Sequence, residues 1–235
     1  MAAAQEKPDQ KSAEKNKKSN DVSSVQKWID FLQKNRKALF IGSLAVILIF
    51  IGSIVGIAIR DRIREDAFNR IDAFNQRYVA LRVHNDNGSE GINALLEEIG
   101  AFAARNSGFA AARAFSLSAA IYWEQERWTE AERAWTSALN ASPRSYLAPI
   151  SLYNAAAAAE EHGNFESAIE LYTQVLEYED VFFIAARAQF SIGRLQEARN
   201  NREAALAAYR SLLSRWPHDP LWSNLAQSRI MLLSD

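Results

Sequence analysis

The chain contains no cysteine. That excludes disulfide frameworks, thiolate zinc sites, iron–sulfur clusters and cysteine nucleophiles. It also suits an oxidising compartment, where stray thiols are a hazard. Lysine is confined to residues 1–37, where eight Lys and Arg36 stand against five acids, a net charge of +4. Residues 60–235 carry eighteen Arg, no Lys and twenty-three acids, a net of −5. Binding nucleic acid needs clustered positive charge to neutralise phosphate, and an acidic domain is poorly suited to it. Nine Gly and five Pro are few for 235 residues and act as punctuation between long segments. No stretch alternates apolar and polar residues as a half-buried strand does.

Signatures of catalysis are missing too. No G-x-S-x-G, phosphate-binding P-loop, G-x-G-x-x-G or H-E-x-x-H occurs. His84, His162 and His218 are isolated and lack metal-ligand spacing, and His162, before Gly163, reads as a helix-end residue. Glu97-Glu98, Glu160-Glu161 and Glu179-Asp180 are adjacent in sequence, splay to different sides of a helix and read as solvated faces. Nothing requires a cofactor or a metal, and the chain reads as a non-enzyme.

One long apolar run is present, Ala38 to Ile59, with fourteen Leu, Ile, Val or Phe and no charge. At about 1.5 Å per residue it is long enough to cross a hydrocarbon core of about 30 Å. Gly56-Ile57-Ala58 has the small-x-small form of a signal cleavage site. A 58-residue leader without a polar spacer argues instead for an uncleaved anchor. Cations flank both ends equally, and only the cluster Lys34-Asn35-Arg36-Lys37 tips the orientation toward a cytoplasmic N-terminus. Gly42, Ala45, Gly52 and Gly56 share one helical face, and Gly52 to Gly56 is a G-x-x-x-G. This is either a helix-packing face that would support a homo-oligomer, or the ordinary frequency of Gly in spanning helices. Residues 1–20 read as a disordered basic tail. Residues 21–37 carry Val22, Val25, Ile29 and Leu32 on one face. They form either an amphipathic helix lying on an anionic leaflet or the first turns of the spanning helix.

The strongest signal behind the anchor is self-similarity. Ala131, Ala168 and Ala205 recur at intervals of 37, each followed four residues on by an aromatic: Trp135, Tyr172 and Tyr209. Pro143 and Pro217 close the outer copies, and Asp180 stands in that place in the middle one. The alanine lets the second helix of a pair approach the first, and the aromatic one turn on fills the wedge beside the neighbouring pair. The first helices are expected over Phe109–Gln125, Tyr146–His162 and Phe183–Arg199, with a turn at Gly163-Asn164. Ala94 lies 37 before Ala131 but Glu98 occupies the aromatic place, so 61–105 reads as a degenerate pair with Arg62–Arg82 as its first helix and a turn over Asn85–Gly88. Leu221, Trp222, Leu225, Ile230 and Leu233 mark a capping helix over 220–233.

The stretch 105–217 resembles the tetratricopeptide repeat (TPR), whose motif has a small residue, an aromatic four later and a closing Pro. Together with the apolar run, the resemblance makes the expected fold all-α: a single transmembrane helix over 38–59, then a TPR-like α-solenoid over 60–235. Three helical pairs are clear, one is degenerate, and a capping helix follows. In this family the first helices line a groove. Carried over by motif position, its residues are Arg113, Ser116, Ala120 and Trp123; Ile150, Tyr153, Ala157 and Glu160; and Arg187, Phe190, Arg194 and Glu197. Arg and aromatics together suit capture of a peptide or an acidic tail. The alternative is plain packing, with Tyr153 and Phe190 in the core and Arg187 and Arg194 paired with Glu197 or Glu203.

The striped segment Val22–Leu32, the lead-in Asn35-Arg36-Lys37-Ala38-Leu39, the single span and the following repeats together resemble the YfgM-like family of ancillary Sec translocon proteins. That resemblance implies an inner-membrane protein with its repeat domain in the periplasm, working beside the translocon with periplasmic chaperones. An adaptor for cell-wall or outer-membrane assembly is the other reading of the same plan.

Overall fold

A computed structural model describes Ile29, residues 31–83 and residues 88–234. The expected tail over 1–20, most of the juxtamembrane segment 21–37, and His84 with residues 85–87 of the expected turn lie outside the described residues. The chain divides into two units, Met1–Ile63 and Arg64–Asp235. Among the described residues the regular structure is helical: α1 (Arg36–Val83), α2 (Gly88–Arg105), α3 (Gly108–Glu124), α4 (Trp128–Ala141), α5 (Leu147–Glu161), α6 (Phe165–Val175), α7 (Ala185–Ala198), α8 (Arg202–Arg215) and α9 (Pro220–Ser234). A 3₁₀ turn, Leu176–Tyr178, follows α6. The expected spanning segment and the expected helix Arg62–Arg82 are parts of one 48-residue helix, α1.

In the first unit, α1 is long and apolar enough to cross a membrane. Phe40, Ile41, Ile49, Phe50 and Ile57 are exposed. A Cβ built on Gly42, Gly52 or Gly56 meets nothing within 4 Å, and Ala45 beside them is exposed.

The second unit is a run of antiparallel helix pairs. Ile71, Phe74 and Tyr78 of α1 pack on Leu95, Leu96, Ile99 and Ala103 of α2 and on Ala114 and Ile121 of α3. Alanine then takes over. Ala111, Ala112, Ala119, Ala131, Ala138, Ala148 and Ala156 are all buried, so α3, α4 and α5 meet with little side chain between them. A middle cluster joins Leu152, Tyr153 and Ala159 of α5, Ala168, Tyr172 and Val175 of α6, Phe182, and Ile192 and Leu195 of α7. The last pair and α9 share Ala205, Tyr209, Leu212 and Ala226.

The motif residues fall as follows. Ala131, Ala168 and Ala205 are fully buried, as is Tyr209, and Tyr172 is nearly so. Trp135 is only half-buried, and its Nε1 has no hydrogen-bond partner among the described residues. Pro143 and Pro217 each stand two residues past a helix end, at Ala141 and Arg215. The middle copy lacks that proline, and its second helix instead winds down through the 3₁₀ turn, with buried Phe182 fixing the chain beyond.

Each hairpin closes alike. The amides of Arg127, Asn164 and Asn201 donate to the carbonyls of Tyr122, Ala159 and Gln196 at 2.9, 2.8 and 2.8 Å. This geometry needs a left-handed residue just before, supplied by Glu126 (φ 58°), Gly163 (φ 80°) and Asn200 (φ 58°). Asn164 and Asn201 then cap α6 and α8 through their side chains, accepting from Ser167 N at 3.3 Å and Ala204 N at 3.2 Å. Asp219 does the same for α9, accepting from Trp222 N at 3.2 Å, with Pro220 at the first helical position.

One expectation is overturned, at Leu221 and Leu225, and the structure adds detail at Ala94 and His162. Ala94 does not occupy the position of Ala131. It is exposed, and Leu95, Leu96 and Ile99 carry the burial of α2, because a pair without the alanine-aromatic device packs through aliphatic side chains instead. Leu221 and Leu225 do not cover the last pair; they are exposed, while Trp222, Ala226, Ile230 and Leu233 face inward. His162 does end α5, but its Nε2 lies 2.6 Å from Glu132 Oε2, so its side chain ties α5 to α4.

Gly193 sits under Tyr209, and a Cβ there would overlap the ring. Because that ring is fully buried it cannot give way. Gly193→Ala gains about 1 kcal/mol of helix propensity and loses more to overpacking. A net loss of about 1–2 kcal/mol is expected in the urea midpoint of the detergent-solubilised chain. Glu126→Gly has the opposite sign: releasing a left-handed non-glycine residue should raise stability by about 0.5–1 kcal/mol in the same titration.

Candidate protein-binding face

The groove residues inferred from the motif lie on the first helices α3, α5 and α7, some exposed and some, such as Tyr153, buried. Their charged members are mostly paired with neighbouring helices. Arg113 of α3 reaches back to Asp72 of α1, Nη2 to Oδ1 3.5 Å, with its guanidinium 5.8 Å from the centre of the Phe68 ring. Arg194 of α7 reaches back to Glu160 of α5, placing Nη2 2.5 and 2.6 Å from the two carboxylate oxygens. Arg229 of α9 reaches back to Glu197 of α7, through Nε at 3.0 Å and through Nη2. The pairing of Arg194 with Glu197 or Glu203 is therefore replaced by pairing with the carboxylate one repeat earlier.

The aromatics divide by role. Tyr153 is buried, edge-on to Tyr172 at 5.3 Å, and Phe190 sits between Tyr209 and Trp222 at 5.3 and 5.4 Å. Trp123 stacks edge-to-face on Trp128 at 4.8 Å, across its own hairpin turn. Ile150 packs against the middle cluster. Ala120 and Ala157 are half-buried. Ser116 has a buried hydroxyl without a partner among the described residues. With Arg113, Asp72 and Asn75 it lines a cleft of about 290 Å³. Arg187 is exposed, its guanidinium 5.3 Å from the centre of the Tyr153 ring, and among the described residues no carboxylate pairs with it.

Electrostatics follow from these contacts. Burial, then the Glu124 carboxylate that accepts its hydrogen bond at 2.8 Å, push the Tyr78 phenol up to about 12. Burial and the bond to Glu197 likewise raise Tyr209. Burial alone would raise Glu197, but hydrogen bonds from Arg229 and Tyr209 outweigh it and hold its carboxyl below the usual glutamate range. Among the described residues no three His, Asp or Glu converge as metal ligands.

Sequence reasoning missed the backward bridges. Adjacent carboxylates read as solvated faces each have one bonded member: Glu98 to Arg77 at 2.7 Å, Glu160 to Arg194, and Glu179 to Arg215 at 2.6 Å. The available signal was the spacing, since an arginine follows each of these bridged carboxylates by about one repeat: Asp72 to Arg113, Glu160 to Arg194, Glu197 to Arg229.

Paired helices, buried alanines at a 37-residue period and arginine–carboxylate bridges between successive first helices define a helical-repeat binding protein. Models of the tetratricopeptide repeat match residues 110–178 and 153–220. A "TPR repeat-containing protein" of Treponema pallidum (strain Nichols) is 32% identical over 222 residues, 87% of this chain and 92% of the relative. The chain belongs to the tetratricopeptide-repeat proteins, whose repeats in general mediate protein–protein interactions as non-enzymatic scaffolds.

The Glu197 cluster gives this face a pH dependence. A carboxyl whose folded value is depressed contributes stability in full above its unfolded value, about 4.3, and loses it as pH falls through the folded value. Glu197→Gln should lower the melting temperature at pH 7. The gap from the parent should close as pH drops below about 4.3, read by circular dichroism.

Proposed function

We propose that this chain is a membrane-anchored protein–protein interaction scaffold of the bacterial cell envelope, serving protein translocation and periplasmic chaperone traffic. The observation that carries the binding role is Arg187, an exposed cation 5.3 Å from the centre of the Tyr153 ring with no carboxylate paired to it among the described residues, where the neighbouring Arg113 and Arg194 are paired. An acidic residue or chain terminus of a partner can take it without breaking an internal bridge. The apolar run of α1 supports an anchor. The resemblance of the lead-in and the single span to the YfgM-like family supports a place beside the Sec translocon. The lysine-rich N-terminus supports an orientation with that end in the cytoplasm and residues 60–235 in the periplasm.

Two measurements test this. Protease added to intact spheroplasts should digest residues 60–235; digestion only after lysis places them in the cytoplasm and overturns the localisation. A photo-crosslinking residue in place of Ala120, on α3, should give adducts with translocon or chaperone subunits in intact cells. Arg187→Glu should cut their yield about tenfold, the equivalent of about 1.4 kcal/mol. Adducts indifferent to that charge reversal would move the contact off this face.

A further inference from the structure

A helix that closes a stack of repeats ordinarily turns a polar face outward. The last helix, α9, does not. Trp222, Ala226, Ile230 and Leu233 pack on the last pair. One step round the helix, Leu221, Leu225 and Leu232 are 60%, 40% and 63% exposed, with Met231 at the edge, 59% exposed. At 3.6 residues per turn, Leu221, Leu225, Ser228 and Leu232 fall in one strip about 60° wide. The 37-residue period sets this strip against the earlier first helices. Leu225 corresponds to Ala114, Ser151 and Ala188, and Leu232 to Ile121, Ala158 and Leu195. All six are buried, none more than 1% exposed. On α9 the matching positions hold leucine and are open, because Ala226 takes the buried place against Tyr209 and Leu212 of α8.

Scattered exposed leucines need no explanation, but a continuous apolar strip on a terminal helix does. Its spacing, charge and size point to a second copy of this chain. The strip advances by four, three and four residues, the same read in either direction. Two antiparallel copies about a twofold axis therefore set Leu221 against the second copy's Leu232, and Leu225 against its Ser228, the small residue receiving the large one. Such self-complementarity is what an isologous contact requires, and an unrelated partner has no need of it. The one charged side chain of α9, Arg229, is spent on Glu197 through Nε and Nη2. The strip thus has no charge to repel an identical copy and none to select an acidic or basic partner. Its fifteen residues span about 22 Å. One helix pair of that length falls below the roughly 1,200 Å² of a standard interface, the class of a reversible dimer.

We propose that the strip Leu221, Leu225, Ser228 and Leu232 is a homodimer contact, with α9 of one copy packed antiparallel on α9 of another. It uses residues of the repeat unit alone and stands apart from the reading of residues 38–59 as a spanning helix. The contact is apolar, so it is insensitive to salt.

The absence of cysteine makes the test direct. Full-length chains carrying Leu221→Cys and others carrying Leu232→Cys are purified in detergent, alone and mixed. Each sample is treated with a short bismaleimide reaching about 8–10 Å, the separation of packed helices. The antiparallel contact predicts a cross-linked dimer in the mixture roughly tenfold above either population alone, because like positions then stand about 16 Å apart along the helix axes. The yield should be the same at low and high salt. Leu225→Glu added to both populations should return the mixture to the level of either alone. Ser228→Glu, at a position already exposed, should do the same, with an unchanged circular dichroism spectrum showing that the fold survives. Equal cross-linking in the separate populations means a parallel or head-to-tail contact and overturns the twofold one. A chain that sediments as a dimer without the 221–232 cross-link pairs elsewhere, and that overturns it too, as does a monomer that cross-links in no sample. In cells, adducts of the two cysteines with a different polypeptide in place of the homodimer give the strip to another protein and overturn the proposal as well.

Discussion

The repeat unit depends on backbone-to-backbone proximity. Gly193 lies directly beneath the Tyr209 ring, and the alanines of α3, α4 and α5 leave almost no side chain at the helix contacts. Close approach of this kind is what lets short helices, marginal alone in water, hold each other through dispersion and burial. It is also intolerant: where aliphatic chains separate helices a methyl can be absorbed, but where glycine faces a fully buried ring it cannot. Small residues therefore fix the spacing, and aromatic rings fill what the spacing leaves. The hairpin turns follow from it, since two helices so close can be joined only by the tight closure with a left-handed residue seen at Glu126, Gly163 and Asn200.

Polar chemistry is layered on that frame. Arginines of one first helix reach to carboxylates of the preceding one, and on the opposite side Glu132 holds both His162 and Ser167, at 2.6 and 2.7 Å. Exposed ion pairs of this sort contribute little stability individually. Their effect is on the face itself, because they decide which groups are spent internally and which are left for a partner. Arg187 is set apart by what it lacks, and the orphaned Ser116 hydroxyl marks a second place where hydrogen bonding is unfinished.

The fold was legible where one residue type carried a strict steric role. Ala131, Ala168 and Ala205 announced the second helices because only a small residue fits there, and the helix ranges followed. The first pair resisted the same reading. Ala94 matches the period but not the face, since spacing in sequence says nothing about which side of a helix a residue occupies once the packing device changes. Glu126 gave no sign of its left-handed turn, because backbone conformation there is imposed by the helices it joins and not by its own preference. The bridges were hidden for a related reason: a carboxylate such as Glu160 looks solvated until its partner, thirty-four residues on, is placed beside it. Among the residues inferred from the motif, which helix they lie on was readable and which partners they engage was not.

The backward bridges also shape what kind of sequence this face accepts. A ligand carboxylate that takes Arg194 strands Glu160, which is only 19% exposed and poorly placed to be rehydrated. A uniformly acidic tail would meet that loss again where Arg229 holds Glu197, which is 12% exposed. A segment that alternates acid and base at about the 8–10 Å separation of packed helices would return a cation to each carboxylate it displaces. On the proposed binding face, the internal pairing would thus filter the charge order of a bound chain, disfavouring some sequences whose total charge would otherwise attract them.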